Sequence, residues 1–462
     1  MVSRWITDYD PEDEQFWEAE GRSIARRNLI FSIFAEFLGF SVWLLWSIVA
    51  TQLNAAGFDF SVSQLFWLVS VPALVGATMR FPYTFAVPRF GGRNWTIVSA
   101  LALLIPVILL AIFVQRPETP FWLMLLVAAT AGFGGGNFAS SMTNIAFFYP
   151  DRAKGLPLAV NAAGGNIGVA VVQAFVPLMI LFAVFGGIFG GPQAGGTYLQ
   201  NAGLVFIPLI VAAAVCAALF MDNLSVSTSA FREQATVVRR KHTWIMSVLY
   251  IGTFGSFIGY SGALPVLTQS QFPEAGVKLA FLGALVGSIA RPFGGWLADR
   301  IGGSKVTLWN FVAMIAAVLA VLYFLANKTE SWAFVGFLGT FMVLFVTTGL
   351  GNGSTFRMIP VIFRSEALEG VSAGDREARD RAIVRGRREG AAVIGFSSAI
   401  GAYGGFLIPQ GFALSRSLTG GPQAAFLCFV AFYVLCGGLT WWYYVRTREV
   451  AGRAPVLASA NA

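Results

Sequence analysis

Charged side chains and metal-binding side chains are scarce in this sequence of 462 residues. Only 12% of the residues are charged, which is about half the share found in soluble proteins. The single histidine excludes bis-histidine haem and poly-histidine metal centres. The three cysteines, Cys216, Cys428 and Cys436, all lie in apolar runs and offer neither a disulfide framework nor metal-ligand spacing. We therefore predict no metal site and no cofactor.

Apolar and aromatic residues are abundant instead. Hydrophobic residues make up 56% of the chain, which includes 43 Phe and 13 Trp. A membrane-spanning helix needs ~20 mostly apolar residues. Twelve runs of this kind follow one another, near 28–52, 61–88, 94–114, 121–149, 156–184, 200–221, 243–270, 277–298, 305–326, 332–363, 389–414 and 423–446. The sequence predicts an all-α membrane protein with twelve transmembrane helices, which excludes a soluble enzyme and a nucleic-acid-binding protein.

The distribution of basic residues predicts the orientation. The net charge is +8, and the basic residues concentrate on one set of loops and ends. That set comprises Arg22, Arg26, Arg27, Arg89, Arg93, Arg152, Lys154, Arg232, Arg239, Arg240, Lys241, Arg300, Lys305, the cluster at 364–388, Arg446 and Arg448. The opposite loops carry only Arg116, Lys278, Lys328 and Arg416. Because cytoplasmic loops collect Lys and Arg, both termini are expected on the cytoplasmic side of the inner membrane. The polar, acidic N-terminus is not a cleaved signal peptide.

Polar stretches divide the chain into predicted parts. These are a cytoplasmic N-terminal segment (1–27), an N-terminal six-helix bundle (28–221), a cytoplasmic linker (222–242), a C-terminal six-helix bundle (243–446) and a cytoplasmic tail (447–462). The charged stretch 364–388 is interpreted as a surface helix with a solvated cytoplasmic face.

The two halves repeat each other. A shift of 211 positions, without a gap, aligns the stretch from Arg80 to Gly91 with the stretch from Arg291 to Gly302. Further along, Gly132-Phe-Gly-Gly answers Gly349-Leu-Gly-Asn, and Val-Pro177 answers Ile-Pro409. Internal repeats are typical of transporters, whose substrate sites lie near the midplane between the repeats.

Arg80 and Arg291 lie deep in two of the apolar runs. An arginine inside a membrane costs at least ~2.5–3.5 kcal/mol, so each is expected to face the bundle interior or an aqueous cavity and to have a partner there. Intramembrane acids are too few to neutralise both. The guanidinium fork matches planar oxyanions, so the pair predicts a small planar anion as substrate. Pairing of each arginine with a carboxylate on a neighbouring helix is the alternative.

Glycine runs accompany the arginines. The run that starts at Gly132 lies inside a predicted span and lacks the spacing of a phosphate-binding loop. Close packing of helices through small residues explains most of these glycines. The polar residues near them are better candidates for lining a cavity: Asn137, Ser140, Ser141, Asn144, Asn161 and Asn166.

Several motifs resemble a known family. The stretch GGWLADRIGGSK (294–305), with a degenerate copy at 85–94, resembles the loop signature of the major facilitator superfamily. The segments GFGGGNFASSMTNIAFFYP (132–150) and GLGNGSTFRMIPVIF (349–363) resemble the two signatures of its nitrate/nitrite porter (NarK-type) family. The resemblance implies the major facilitator fold of two pseudo-symmetric six-helix bundles and transport of nitrate and nitrite. It also implies that Asp299 and Arg300 belong to a gating latch.

The same resemblance implies roles for individual residues. The family's two anion-binding arginines fall on Arg80 and Arg291, and its aromatic walls fall on Phe138 and Phe254. Its hydroxyl donor falls on Tyr250, and its amide falls on Asn166. For the two phenylalanines, ordinary core packing is the alternative.

Two further charged residues bear on coupling. Arg357 lies inside the second signature and is interpreted as a gating residue or as a side chain that reaches the cytoplasmic surface. Glu36 lies in the first apolar run and either supports structure or carries a proton. A fixed-charge pocket favours nitrate/nitrite antiport, with nitrate/proton symport, a nitrate sensor and an anion channel as alternatives. The expected partners are nitrate, nitrite and the lipid bilayer, with no nucleic acid, and a monomer is expected.

Overall fold

A computed structural model describes residues 4–150, 152–185, 187–225, 237–372 and 374–446. Within them, twelve helices are long and apolar enough to cross a membrane. In chain order these are α1 Glu14–Gln52, α2 Val62–Phe90, α3 Gly92–Phe113, α4 Phe121–Phe148, α5 Gly155–Met179, α6 Asn201–Phe220, α7 Lys241–Gln271, α8 Phe281–Ile301, α9 Gly303–Ala326, α10 Ala333–Leu368, α11 Arg376–Thr419 and α12 Gln423–Val445. The prediction of twelve spanning helices is confirmed. The expected linker residues 226–236 and the expected tail 447–462 lie outside the described residues.

Several helices contain short irregular turns. Their regular segments include Arg22–Trp43 and Trp46–Gln52 in α1, Gly92–Ala102 and Leu104–Phe113 in α3, Phe121–Thr130 and Phe133–Phe148 in α4, Asn201–Leu204 and Phe206–Phe220 in α6, Lys241–Tyr250 and Ser256–Gln271 in α7, Arg376–Ala402 and Gly404–Thr419 in α11, and Gln423–Thr440 in α12. π-Helical turns lie at Trp17–Gly21, Ile251–Gly255 and Trp441–Val445, and 3₁₀ turns lie at Val237–Arg239 and Pro273–Ala275.

Helix α2 shows how the sequence defines these elements. Inside a bilayer the backbone must satisfy its own hydrogen bonds, so apolar runs fold as helices. At its start, Ser61 and Gln64 form a capping box, in which each side chain accepts a hydrogen bond from the other's backbone N–H. At its end, Gly91 has a φ of 85°, a conformation that favours glycine. The repeat partner Gly302 ends α8 with a φ of 94°, so the structure reproduces the sequence repeat at this turn.

The chain forms two compact units. The first comprises Met1–Ser229, Gly259–Leu285 and Gly405–Gly420, and the second comprises Ala230–Ile258, Val286–Gly404 and Gly421–Ala462. The second halves of α7 and α11 therefore belong to the first unit. The boundary between bundles at 222–242 stays a sequence-based prediction.

The N-terminal segment closes one end of the first unit. Its strand β1 (Trp5–Ile6) pairs in parallel with β2 (Asn223–Leu224), which follows α6. The buried Tyr9 hydroxyl donates to the carbonyl oxygen of Phe148 at 2.8 Å, and burial raises the pKa of this phenol above its usual value. Asp222 accepts hydrogen bonds from Arg27 and Asn28. These contacts hold the ends of α1, α4 and α6 together.

The charged stretch 364–388, interpreted as a surface helix, is mostly helical, but its helical parts belong to two spanning helices. Helix α10 continues to Leu368, and α11 already begins at Arg376. The Asp375 side chain caps α11 by accepting a hydrogen bond from the Ala378 N–H. Within α11, Glu389 forms an ion pair with Arg240 at 3.0 Å. The two spanning helices therefore extend beyond their apolar runs, because caps and ion pairs satisfy the polar part of each helix.

Candidate functional site

The Arg80 guanidinium is fully buried in the first unit. Its Nε donates to the carbonyl oxygen of Gly135 on α4 at 3.1 Å. The rings of Phe138 and Trp43 lie 4.6 Å and 5.3 Å from the central guanidinium carbon, within cation–π range. Aromatic rings therefore cover a charge that the bilayer would otherwise disfavour. Phe138, which the family resemblance implied as an aromatic wall, thus lies beside Arg80, and so does Trp43, which the sequence did not single out.

Glycines allow α1, α2 and α4 to approach closely around Arg80. A Cβ on Gly134 would lie 2.1 Å from the carbonyl oxygen of Gly39 on α1. A Cβ on Gly135 would lie 2.7 Å from the Cα of Gly76 on α2. Adjacent glycines of α4 therefore form two separate helix crossings, as expected for small residues at membrane helix interfaces.

Two buried amides lie on α4 and α5 of the same unit. Asn137 and Asn166 are 3% and 1% exposed. In the part of the chain that the structure describes, the nitrogen and the oxygen of the Asn137 amide have no hydrogen-bond partner. The same holds for the side-chain oxygen of Asn166. A buried polar group without a partner is costly, so these amides are sites where water or a polar ligand gains a hydrogen bond.

The second unit contains a related cluster around Arg291, which is 6% exposed. The Phe356 ring lies 5.7 Å from its guanidinium carbon. Among the described residues, Arg291 Nη1 has no hydrogen-bond partner. Tyr250 and Phe254 lie at the π-helical turn of α7, with their rings stacked 5.4 Å apart. Local π-helix is common at functional sites.

Close backbone approach recurs around Arg291. A Cβ on Gly353 of α10 would lie 2.1 Å from the carbonyl oxygen of Arg291 on α8. A Cβ on Gly349 would lie 2.2 Å from the carbonyl oxygen of Gly287. The glycine-rich second signature thus packs α10 against α8 at the level of the arginine. This supports the interpretation of these glycines as packing residues.

Glu36 lies in a polar cluster between three helices of the first unit. Its side chain is fully buried, so it does not reach the membrane surface. One carboxylate oxygen accepts hydrogen bonds from Ser141 Oγ of α4 at 2.5 Å and from Asn161 Nδ2 of α5 at 2.6 Å. Ser141 Oγ also lies 2.9 Å from Ser32 Oγ. Ser141 precedes the end of α4 by two turns and follows Phe138 by one turn, so the cluster fixes the helix that carries Phe138.

The residues implied to gate lie near one another in the second unit. Arg357 Nε forms an ion pair with Asp299 Oδ1 at 2.5 Å. The Arg300 guanidinium carbon lies 4.1 Å from the Trp296 ring centroid. Arg357 therefore pairs with the loop signature instead of extending alone to the membrane surface. Because both members of this ion pair are nearly half exposed, the pair is worth little as a source of stability.

Comparisons with known proteins give the family. The model of the Major Facilitator Superfamily matches residues 29–373. The nitrate/nitrite transporter NarU of Escherichia coli is 44% identical over 451 residues, which cover 96% of each chain. The probable nitrate/nitrite antiporter NarK2 of Thermus thermophilus is 36% identical over 457 residues, which cover 96% of this chain and 97% of the relative. These relatives are named as transporters, which confirms the prediction that the chain is not an enzyme.

Solved structures confirm the fold. The E. coli xylose transporter XylE, in a partially occluded inward-open conformation, has a TM-score of 0.64 at 12% identity and covers 91% of this chain and 98% of its own. A bacterial homologue of the human lysosomal transporter Spinster has a TM-score of 0.63 at 14% identity and covers 92% and 98%. The prediction of a major facilitator fold is confirmed.

The helix crossing at Gly134 gives a stability test. We expect Gly134→Ala to lower the apparent Tm of the detergent-purified protein by several degrees, because the added Cβ clashes with the α1 backbone. Gly339→Ala is the matched control, since a Cβ there meets nothing within 4 Å and alanine favours helix by about 1 kcal/mol. Equal Tm values for the two variants would contradict the assigned role of Gly134.

Proposed function

The chain belongs to the nitrate/nitrite porter (NarK-type) family of the major facilitator superfamily, and we propose that it exchanges nitrate for nitrite across the inner membrane by alternating access. The observation that carries this proposal is the buried guanidinium of Arg291, whose Nη1 has no hydrogen-bond partner among the described residues. Its repeat partner Arg80 is also buried. An anion that both arginines bind would neutralise charges that are otherwise costly in a membrane.

The chemistry of the two clusters supports a planar oxyanion. A guanidinium offers paired N–H donors in one plane, which match two oxygens of a nitrate or nitrite ion. The aromatic rings beside each arginine exclude water, and a lower local dielectric strengthens the attraction between arginine and anion. We propose that Phe138 and Phe254 form walls of the site and that the Tyr250 hydroxyl and the Asn166 amide N–H donate further hydrogen bonds to the anion. The names of the relatives NarU and NarK2 point to the same substrates.

Fixed positive charges favour antiport over uniport. A transporter whose empty site carries two arginine charges meets a high barrier when it changes between its inward-facing and outward-facing states. A site that holds an anion carries less net charge, so the same change meets a lower barrier. We therefore propose obligatory exchange, in which nitrate enters and nitrite leaves. The ion pair between Arg357 and Asp299, together with Arg300, is proposed to act as a latch that breaks and re-forms as the transporter changes state.

Proton-coupled nitrate symport is a second candidate, because Glu36 is a buried carboxylate in a transport bundle. The hydrogen bonds that it accepts from Ser141 and Asn161 tie α1 to α4 and α5. They therefore favour a structural role for Glu36 over proton transfer.

The remaining parts of the proposal concern the membrane. The excess of basic residues on one set of loops supports an orientation with both termini in the cytoplasm. We propose that the protein works as a monomer in the lipid bilayer and that nitrate and nitrite are its only required partners.

Uptake into proteoliposomes tests the function. At fixed pH and membrane potential, we expect labelled nitrate to accumulate in vesicles loaded with nitrite and to accumulate far less in vesicles without an internal anion. Empty liposomes serve as the control. Uptake that is independent of internal nitrite would contradict antiport and indicate a channel, and no uptake in either condition would contradict transport.

The arginines give a specific test of the binding site. We expect Arg80→Lys and Arg291→Lys each to weaken nitrate binding about 10–100-fold, because lysine keeps the charge and loses a charge-assisted hydrogen bond of the planar fork. Equilibrium binding of labelled nitrate to purified protein measures the loss. Arg89→Lys is the matched control, because Arg89 lies on the same helix and is exposed. Near-normal affinity in both test variants would exclude a bidentate site.

Glu36 separates the two transport modes. We expect Glu36→Gln to retain most nitrate/nitrite exchange, because the glutamine oxygen still accepts hydrogen bonds from Ser141 and Asn161. Counterflow and pH-gradient-driven uptake are compared for the wild type and this variant, with Glu36→Leu as the control that removes the acceptor. If a pH gradient drives nitrate uptake by the wild type alone, without internal nitrite, Glu36 is the coupling residue and the antiport proposal is wrong.

A further inference from the structure

A glutamine of α5 donates a hydrogen bond to a backbone carbonyl oxygen of α7. Pro265 lies inside α7, and because proline has no N–H, it cannot donate to the carbonyl oxygen of Ser261, four residues earlier. Gln173 Nε2 donates to that carbonyl oxygen at 2.7 Å and to Ser47 Oγ of α1 at 3.0 Å. Gln173 is 1% exposed. All these residues lie in the first unit, so this side chain ties the second half of α7 to α1 and α5.

Two other glutamines make equivalent contacts in the same unit. Gln269 Nε2, near the end of α7, donates to the carbonyl oxygen of Thr51 on α1 at 2.9 Å. Gln410 Nε2 of α11 donates to Ser70 Oγ of α2 at 2.6 Å. These bonds lie toward the end of the helices opposite the N-terminal segment, which we call the outer end. Each of the three glutamines thus joins a segment of α7 or α11 to α1, α2 or α5.

Aromatic contacts join the same helices. We call the glutamine and aromatic contacts that join α7 and α11 to α1, α2 and α5 at the outer end the seam. The Phe66 and Phe412 rings lie 5.8 Å apart, and the Trp67 and Phe406 rings lie 6.1 Å apart, between α2 and α11. The seam therefore combines apolar packing with amide hydrogen bonds.

A neutral seam suits a protein that moves anions. Lysine or arginine there would bind the passing anion, and an aspartate or glutamate would repel it. Amide side chains carry no net charge and so attract or repel the anion less than charged side chains do, and each amide hydrogen bond contributes only modestly to stability because water replaces it when it opens. The seam can therefore open and close without trapping or excluding the substrate.

We propose that Gln173, Gln269 and Gln410 form an amide latch that closes the outer end of the transport path and releases in the outward-open state. This inference rests on the proposed alternating access. In this proposal the three glutamines set the equilibrium between the outward-closed and outward-open states and do not contact the bound anion.

Cysteine labelling tests the latch without any transport measurement. In a background in which Cys216, Cys428 and Cys436 are replaced by alanine, Val69→Cys provides a reporter that is 4% exposed and packs beside Gly262 of α7. A membrane-impermeant maleimide is added to the outer face of intact spheroplasts. We expect Gln173→Met and Gln410→Met each to raise the labelling rate about 2–10-fold, which corresponds to one net hydrogen bond.

The control variant and the folding check make the result decisive. Methionine keeps the side-chain volume, and a single symmetric chromatography peak shows that a variant is folded. Gln115→Met is the matched control, because Gln115 follows the end of α3 and donates at 2.7 Å to the carbonyl oxygen of Ala111 in that same helix. The amide-latch proposal is wrong if both test variants are labelled at the same rate as the parent protein. It is also wrong if Gln115→Met raises the labelling rate as much as they do. Faster labelling in a protein that shows no nitrate/nitrite exchange would support the latch and contradict the proposed function.

Discussion

The burial of two guanidinium groups inside a membrane protein is the constraint on which the rest of this structure depends. Arg80 and Arg291 are both buried, so rings and carbonyl oxygens replace part of their hydration, and we propose that a bound anion replaces more of it. The protein supplies the first two directly: Trp43 and Phe138 lie beside Arg80, Phe356 lies beside Arg291, and Gly135 accepts a hydrogen bond from Arg80. The proposed substrate supplies the third.

Backbone packing makes these surroundings possible. Helices carry aromatic side chains to a buried charge only if their axes come close, and glycines at Gly134, Gly135 and Gly353 remove the side chains that would keep them apart. Small-residue crossings of this kind depend on van der Waals contact and not on hydrophobic burial, because lipid is as apolar as the helix surface. The glycine-rich signatures are thus a packing requirement of the arginine sites.

Much of the fold followed from the sequence, because length and hydropathy dictate spanning helices. Arg80 and Arg291 were equally predictable, since a charge inside an apolar run is an anomaly and the repeat aligns the two. Trp43 and Phe356 were not predictable, because 43 Phe and 13 Trp make any single ring uninformative. The ring beside each arginine is chosen by helix crossings that only the structure shows. The sequence did not show that the charged stretch 364–388 continues α10 and precedes the apolar part of α11, because charge marks the end of an apolar run and not the end of a helix.

The central proposal is that Arg80 and Arg291 bind the same anion, and a double-mutant cycle tests it most directly. Nitrate affinity is measured for the wild type, Arg80→Lys, Arg291→Lys and the double variant. If the two arginines share one anion, their effects on nitrate affinity are coupled, because residues that contact one ligand are not independent. The loss of binding free energy in the double variant is then much smaller than the sum of the losses in the two single variants. Additive losses within about 0.5 kcal/mol would show that the two arginines act at separate sites and would contradict the account.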